Sequence, residues 1–161
     1  MQKALGKLLF LVNNKIIYYI IVQLYIKLNL KMSLVVDTSV IISVITNEKS
    51  KSKLIKITKG EDIIAPTSLH WEIGNAFSSM FKRKIINVES AEKALSDYFR
   101  IPLRLVEVDI LKSLKISSKF NIYAYDAYFL ECARQFDIPL VSLDKSMIEI
   151  AKKMNLKVIG V

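Results

Sequence analysis

Residues 33–39 have the sequence Ser33-Leu34-Val35-Val36-Asp37-Thr38-Ser39, an apolar run that ends in an acid and two hydroxyl residues. A short apolar run bounded by polar residues predicts a buried β-strand, with Asp37 at its carboxyl end. Thr38 and Ser39 predict the start of a helix that runs through Thr46, because hydroxyl side chains cap free backbone N–H groups. The domain therefore opens, directly after Met32, with a strand followed by a helix.

The rest of the chain continues this alternation of short apolar strands and helices. Further strands are predicted at 62–65, 103–108, 139–142 and 156–159, and helices at 51–59, 68–83, 89–100, 110–120, 125–136 and 145–154. Parallel strands need a crossover element between them, so this order predicts a mostly parallel sheet with helices on both faces. The predicted fold class is α/β, in one domain that spans residues 32–161.

Length and composition agree with one folded domain. The chain has 161 residues, of which 52% are hydrophobic and 24% charged, enough to bury a core without covalent cross-links. A single cysteine, Cys132, excludes an intrachain disulfide and fits a reducing, cytoplasmic compartment. Because His70 is the only histidine, a metal is expected to be held by oxygen, which favours Mg²⁺ or Mn²⁺.

Residues 1–31 differ from the remainder in being apolar and basic. They hold five lysines and no acid, so subtracting 5 from the net charge of +9 leaves +4 for residues 32–161. The longest clean apolar run, 16–26, is too short to span a bilayer, and no small-residue cleavage site follows it. Two interpretations stay open: an extension upstream of a start at Met32, or a helix that binds a partner or a membrane interface. Membrane association is expected only if this segment acts as an anchor.

Four acids stand where a parallel α/β sheet binds ligands. Asp37 and Asp144 follow predicted strands, and such sheets bind ligands beyond the carboxyl ends of their strands. Glu72 and Asp126 lie beside the apolar stripes of their helices, where a carboxylate is costly unless it pairs or binds a cation. Taken singly, the first two are explained by helix capping and the others by a solvent-edge position. Four converging acids need a cation, because their charges repel.

Four blocks of residues resemble the PIN-domain nucleases and, within them, the VapC toxins of VapBC toxin–antitoxin pairs. Each block contains one of the four acids, and the blocks are 35–39, 66–76, 125–130 and 138–144. In the fourth block the family more often has threonine two residues before the acid, and Ser142 keeps a hydroxyl at that position. Any one block is weak, but four in this order, with the expected elements between them, cover nearly all of the chain after Met32.

The resemblance implies a PIN-like fold and a metal-dependent endoribonuclease with Mg²⁺ or Mn²⁺ as cofactor. The implied metal ligands, which are also the implied catalytic residues, are Asp37, Glu72, Asp126 and Asp144. Residues that orient these ligands or a phosphate are expected to be Thr38, Ser39, Asn75 and Ser142. Candidate contacts to the RNA backbone are Lys82, Arg83 and Lys84, although a solvated surface explains them equally well. The implied partners are an RNA substrate, a VapB-like antitoxin and a second copy of the chain.

Three other classes of protein fit less well. A receiver-type signalling domain usually carries paired acids after its first strand, whereas Asp37 stands alone there. A PIN-fold protein that binds or processes RNA without cutting it has no need of all four acids. DNA flap nucleases usually carry insertions for which this chain has no room. His70 is expected to be structural, and Trp71 to make a packing or dimer contact, with stacking on a base as the alternative.

Overall fold

A computed structural model of the chain describes residues 17, 19–21 and 32–160. The chain divides into two compact units, Met1–Met32 and Ser33–Val161. In the first unit residues 17 and 19–21 are helical, and the interpretations given above for the rest of 1–31 lie outside the described residues. Among the residues that are described, no helix combines the length and apolar character needed to cross a membrane.

The second unit alternates strands and helices in the predicted order. Its described elements are β1 (Ser33–Val36), α1 (Thr38–Ile45), α2 (Lys51–Thr58), β2 (Asp62–Pro66), α3 (Leu69–Lys82), α4 (Val88–Tyr98), β3 (Leu103–Val106), α5 (Ile110–Phe120), α6 (Ala124–Phe136), β4 (Leu140–Val141), α7 (Lys145–Lys153) and β5 (Val158–Ile159). Every predicted element is present, and β3, β4 and β5 are shorter than predicted. The α/β fold class is therefore confirmed.

These strands form one sheet in the order β3-β2-β1-β4-β5, and every neighbouring pair is parallel. Val35 of β1 is in register with Ile64 of β2 on one side and with Leu140 of β4 on the other. The chain thus builds outward from β1 to β3 and then returns to place β4 on the opposite side of β1. Because the strand order reverses at β1, the loops after β1 and β4 border the crevice where such sheets bind ligands.

Helices cover both faces of this sheet. The consecutive β1 residues Leu34, Val35 and Val36 are all buried, and neighbouring side chains of a strand point to opposite faces, so both faces of β1 are covered. Helix α6 packs against β1, β2 and β4 and adds Phe129 and Leu130 to the core. Helix α1 packs against α2, α3 and α4. Burial on both faces explains why Leu34, Val35 and Val36 of β1 are continuously apolar rather than alternating with polar residues.

The start of α1 corrects one sequence-based expectation. Asp37 is the N-cap of this helix, and its Oδ1 accepts a hydrogen bond from the backbone N–H of Val40 at 3.0 Å. The prediction that the Thr38 and Ser39 hydroxyls cap the helix is wrong, because the capping acceptor is the Asp37 carboxylate. Both hydroxyls instead donate to carboxylates. The cap therefore fixes the carboxylate of Asp37 at the end of β1.

Candidate active site

Asp37 lies at the carboxyl end of β1, and only 2% of its surface is exposed. Ser39 Oγ and the Val40 N–H donate to its Oδ1 at 2.7 and 3.0 Å, and Ser142 Oγ donates to its Oδ2 at 2.5 Å. Burial raises the pKa of Asp37 above its ordinary value, the three hydrogen bonds oppose this change, and the charge of Asp144 adds to it. The carboxylate is thus rigidly held where its negative charge is costly.

Glu72 reaches the same end of β1 from the first turn of α3. Thr38 Oγ1 donates to its Oε2 at 2.8 Å, and Ser68 Oγ donates to its Oε1 at 3.2 Å. The pKa of Glu72 is raised to about 7, mainly by burial. The charges of Asp126 and Asp37 add to this rise, and the two hydrogen bonds oppose it. Two hydroxyls therefore hold the carboxylate in place, while the surroundings disfavour its charge.

Asp126 and Asp144 complete the group of acids. Asp126 is half-buried in the first turn of α6, where burial and then the charge of Asp144 raise its pKa. Asp144 follows β4 and caps α7, since its Oδ1 accepts from the N–H groups of Ser146 and Met147 at 2.7 and 3.2 Å. Capping is thus a real role of Asp144, and it leaves Oδ2 without a hydrogen bond to the described residues.

The serine hydroxyls Ser39 and Ser142 tie the loop after β1 to the loop after β4. Ser39 Oγ, which donates to Asp37, also accepts from the Leu143 N–H at 3.0 Å. Ser142 Oγ, which donates to the other oxygen of Asp37, accepts from the Asp144 N–H at 2.9 Å. Ser142 is buried, so this network has little freedom to rearrange. It fixes the approach of Asp144 to Asp37.

Electrostatic repulsion links the four acids. The charge of Asp144 raises the pKa of Asp37 and of Asp126, and the charges of Asp126 and Asp37 raise the pKa of Glu72. Among the described residues, none of the four forms an ion pair with a lysine or arginine. The buried acid Glu131 shows the contrast, since both of its oxygens pair with Arg134 at 2.6 Å.

A cavity of about 420 Å³ opens beside Glu72 and Asp126, and it is lined by Thr38, Glu72, Asn75, Ala76, Tyr123, Tyr125 and Asp126. Asn75 is exposed and lines this cavity one turn beyond Glu72, where its spacing places it. Lys82, Arg83 and Lys84 are exposed at the far end of α3. At about 1.5 Å per helical residue, Lys82 lies roughly 15 Å along the axis from Glu72. The structure does not bring these basic residues to the acids.

The donor set fits a divalent cation in its chemistry. Within the described part of the chain, no group of three or more His, Cys, Asp or Glu side chains is arranged to hold a metal ion. An ionised carboxylate offers about four acceptor positions; Asp37 uses three of them, and Glu72 and Asp144 use two each. Oxygen donors with spare acceptor positions and uncompensated charge suit Mg²⁺ or Mn²⁺. The carboxylates have to turn toward one another to share such an ion.

Sequence reasoning did not identify two groups of residues around the acids. Ser68 was not expected to contact Glu72, although residues four apart at a helix start lie on the same face. Tyr123 and Tyr125 line the cavity beside Asp126, and Tyr123 is 84% exposed. No periodicity indicates the position of Tyr123, because it precedes α6.

Comparison with known proteins assigns the family. The family model for the PIN domain matches residues 34–153, which is most of the chain. PAE2754 from Pyrobaculum aerophilum is 19% identical, with 82% of this chain and 92% of that chain covered and a TM-score of 0.57. VapBC2 from Rickettsia felis, solved with a DNA fragment from its promoter, is 16% identical, with 80% and 98% covered and a TM-score of 0.56.

A third solved structure is VapC20 from Mycobacterium tuberculosis, described as a sarcin–ricin loop cleaving toxin. It is 13% identical, with 72% of this chain and 93% of that chain covered and a TM-score of 0.53. At these identities the three structures show a shared fold. A search of curated proteins gave no match. On the strength of the family model, which spans β1 to α7 and includes all four acids, the chain belongs to the PIN-domain family of nucleases.

Proposed function

We propose that this protein is a divalent-metal-dependent endoribonuclease and the toxin of a toxin–antitoxin pair. The observation that carries the proposal is the set of four carboxylates at the ends of β1 and β4 and at the starts of α3 and α6. Three of them have raised pKa values, and none is ion-paired with the described residues. Such a cluster is costly without a cation. The toxin role is supported by the resemblance to VapC proteins and by the fold shared with VapC20.

Mg²⁺ or Mn²⁺ would be held by Asp37, Glu72, Asp126 and Asp144. When bound, such an ion supplies Lewis-acid activation of water and compensates the charge of a phosphodiester during in-line displacement. All other parts of the site are supplied by the chain. Its share is to keep four like charges near one another, with Glu72 and Asp126 lining the cavity.

The hydroxyl groups perform this positioning. Ser39 and Ser142 hold the two oxygens of Asp37, and Thr38 and Ser68 hold the two oxygens of Glu72. Each hydroxyl restrains its carboxylate against the repulsion of its neighbours. Hydrogen bonds that restrain ligand carboxylates in this way support metal affinity.

The experiment is a cleavage assay on a single-stranded RNA and on DNA of the same sequence, with Mg²⁺ or Mn²⁺ and then with EDTA. RNA is expected to be cut and DNA left intact, and EDTA is expected to stop cleavage until metal is restored. Cleavage that persists in EDTA contradicts metal dependence. RNA that stays intact with both Mg²⁺ and Mn²⁺ contradicts the ribonuclease assignment.

A VapB-like antitoxin is the proposed protein partner. The acid cluster carries uncompensated negative charge, so a basic side chain inserted among the carboxylates would compensate it in the absence of metal. The shared fold with VapBC2 supports this pairing. Co-purified antitoxin is expected to abolish RNA cleavage, and nuclease activity that is unchanged in the complex would contradict this partner.

A further inference from the structure

A second cavity, here called the aromatic cavity, lies at the same edge of the sheet, beyond the ends of β2 and β3. It has a volume of about 420 Å³, and its main lining residues are Ser68, Trp71, Glu107, Ile110, Tyr125 and Tyr128. The ends of β2 and β3 are joined there by a hydrogen bond from the Thr67 N–H to the Val106 carbonyl at 3.1 Å. Trp71 is 72% exposed, so it does not pack inside the domain, and a dimer contact through Trp71 stays a prediction.

The aromatic cavity adjoins the cavity at the carboxylates. Tyr125 lines both of them. Ser68 lines the aromatic cavity and donates its hydroxyl hydrogen bond to Glu72 at 3.2 Å. In the sequence, Trp71 directly precedes Glu72, and Tyr125 directly precedes Asp126. A ligand atom at the carboxylates therefore has an aromatic surface within reach on one side.

The lining of the aromatic cavity suits a flat, uncharged group. Its side chains include no lysine or arginine that could pair with a phosphate. The rings of Tyr125 and Tyr128 meet edge to face, with centroids 6.0 Å apart, and this contact steadies Tyr125. Beside these rings, the Ser68 hydroxyl and the Glu107 carboxylate offer polar atoms for the edge of a base.

We propose that the aromatic cavity binds an unpaired nucleobase of the RNA, next to the phosphodiester that lies at the carboxylates. The inference rests on the proposed ribonuclease function and adds a binding site for one unpaired base of the substrate. A polynucleotide carries one base beside each phosphate, so an acidic cavity and an adjoining aromatic cavity match its repeating unit. Bases paired within a duplex are not free to stack on Trp71 and Tyr125, whereas unpaired bases commonly stack on aromatic side chains.

The test combines a change in the protein with a change in the RNA. The cleavage site of the parent protein is first mapped in a single-stranded oligonucleotide. Stable abasic nucleotides then replace, one at a time, the nucleotides on the two sides of that site. Loss of the stacked base is expected to lower kcat/KM by roughly 5- to 150-fold. Trp71→Ala is expected to lower kcat/KM for the intact RNA by a similar factor. It is expected to cause no further loss on the abasic RNA, because the two changes remove the same contact.

Two further variants separate stacking from a structural effect. Trp71→Phe keeps an aromatic face and is expected to recover most of the activity. Phe136→Ala removes an exposed aromatic ring at the opposite end of α6 and is expected to change neither substrate. Losses for Trp71→Ala that are equal on intact and abasic RNA overturn the inference, as does a dimer that dissociates in this variant without any base-dependent effect.

Trp71 is the only tryptophan in the chain, so its fluorescence gives a readout that does not depend on cleavage. Mixing with the intact oligonucleotide in Mg²⁺ is expected to quench the emission, and the abasic oligonucleotide is expected to quench it much less. Cleavage without base-dependent quenching overturns the base site and leaves the ribonuclease intact. Base-dependent quenching without cleavage supports the base site and contradicts the ribonuclease, and the absence of both overturns both.

Discussion

Replacing Glu72 by glutamine is expected to stabilise the metal-free protein at alkaline pH and to leave it nearly unchanged in acid. Burial raises the pKa of this carboxyl from 4.5 to about 7 in the folded chain. Between these two values the folded state keeps a proton that the unfolded state releases. The free energy of unfolding of the parent therefore falls as the pH rises through this window. Glutamine carries no charge, so the variant does not lose this stability.

The size of the gain follows from the same pKa values. At about 1.4 kcal/mol per pKa unit, the full difference corresponds to about 3 kcal/mol. Glu72 is only half-buried, and solvent screening reduces this value, so the expected gain at pH 8 is about 1–2 kcal/mol. For a chain of this length this is a rise in Tm of roughly 2–8 °C. The hydroxyls of Thr38 and Ser68 both donate and accept, so they adapt to the amide.

The assay is urea unfolding in EDTA at pH 4.5 and at pH 8 for the parent and two variants. Glu72→Gln should match the parent at the lower pH and exceed it at the higher pH. Glu92→Gln, on the exposed surface of α4, is the matched control and should follow the parent at both. A Glu72→Gln protein that is no more stable than the parent at pH 8 would refute the reasoning about buried, repelling charge.

Three further predictions concern the network, the N-terminal segment and assembly. Ser142→Ala removes the donor to Asp37 and the acceptor of the Asp144 N–H, so RNA cleavage should fall roughly 10- to 100-fold while Ser142→Thr retains it; an alanine variant with the parental rate contradicts this role. A chain that begins at Met32 should fold and cut RNA with the parental kcat/KM, because all four acids follow that residue. A circular dichroism spectrum typical of an unfolded chain would contradict this prediction. We also predict a homodimer, seen by light scattering as twice the chain mass of 18.4 kDa, and a monomer at every concentration would disprove it.

The order of elements was predictable because local physics determines it. The apolar runs of β1 and β2 are short and bounded by polar residues, and each helix carries an apolar stripe. The stripe of α3, with Leu69, Ile73 and Phe77 buried, also places Glu72 beside the core. The same stripe places Trp71 on the outer face, between two inward residues. Spacing therefore contained the information that contradicts the packing expectation for Trp71.

The long-range contacts that assemble the site depend on tertiary structure, and no local pattern encodes them. The pairing of Val36 with Val141 places β4 beside β1 and brings Asp144 to Asp37. Thr38 donates to Glu72, which lies 34 residues away, and the acceptor that caps α1 is Asp37. A sequence pattern gives the hydroxyl but not its partner. The lengths of β4 and β5 also depend on tertiary structure, since only two residues of each strand pair with the other.

The central claim is that the acids at the end of β1 hold the metal that cleaves RNA, and Asp37→Asn tests it most directly. The change keeps the shape of the side chain and removes its charge. RNA cleavage in Mg²⁺ or Mn²⁺ should fall by more than about 100-fold, while the fold survives and the metal-induced rise in Tm shrinks. Asp137→Asn, the same change at an exposed position that follows α6, should behave as the parent. Parental RNA cleavage by Asp37→Asn, or a metal-induced rise in Tm equal to that of the parent, would contradict the proposed site.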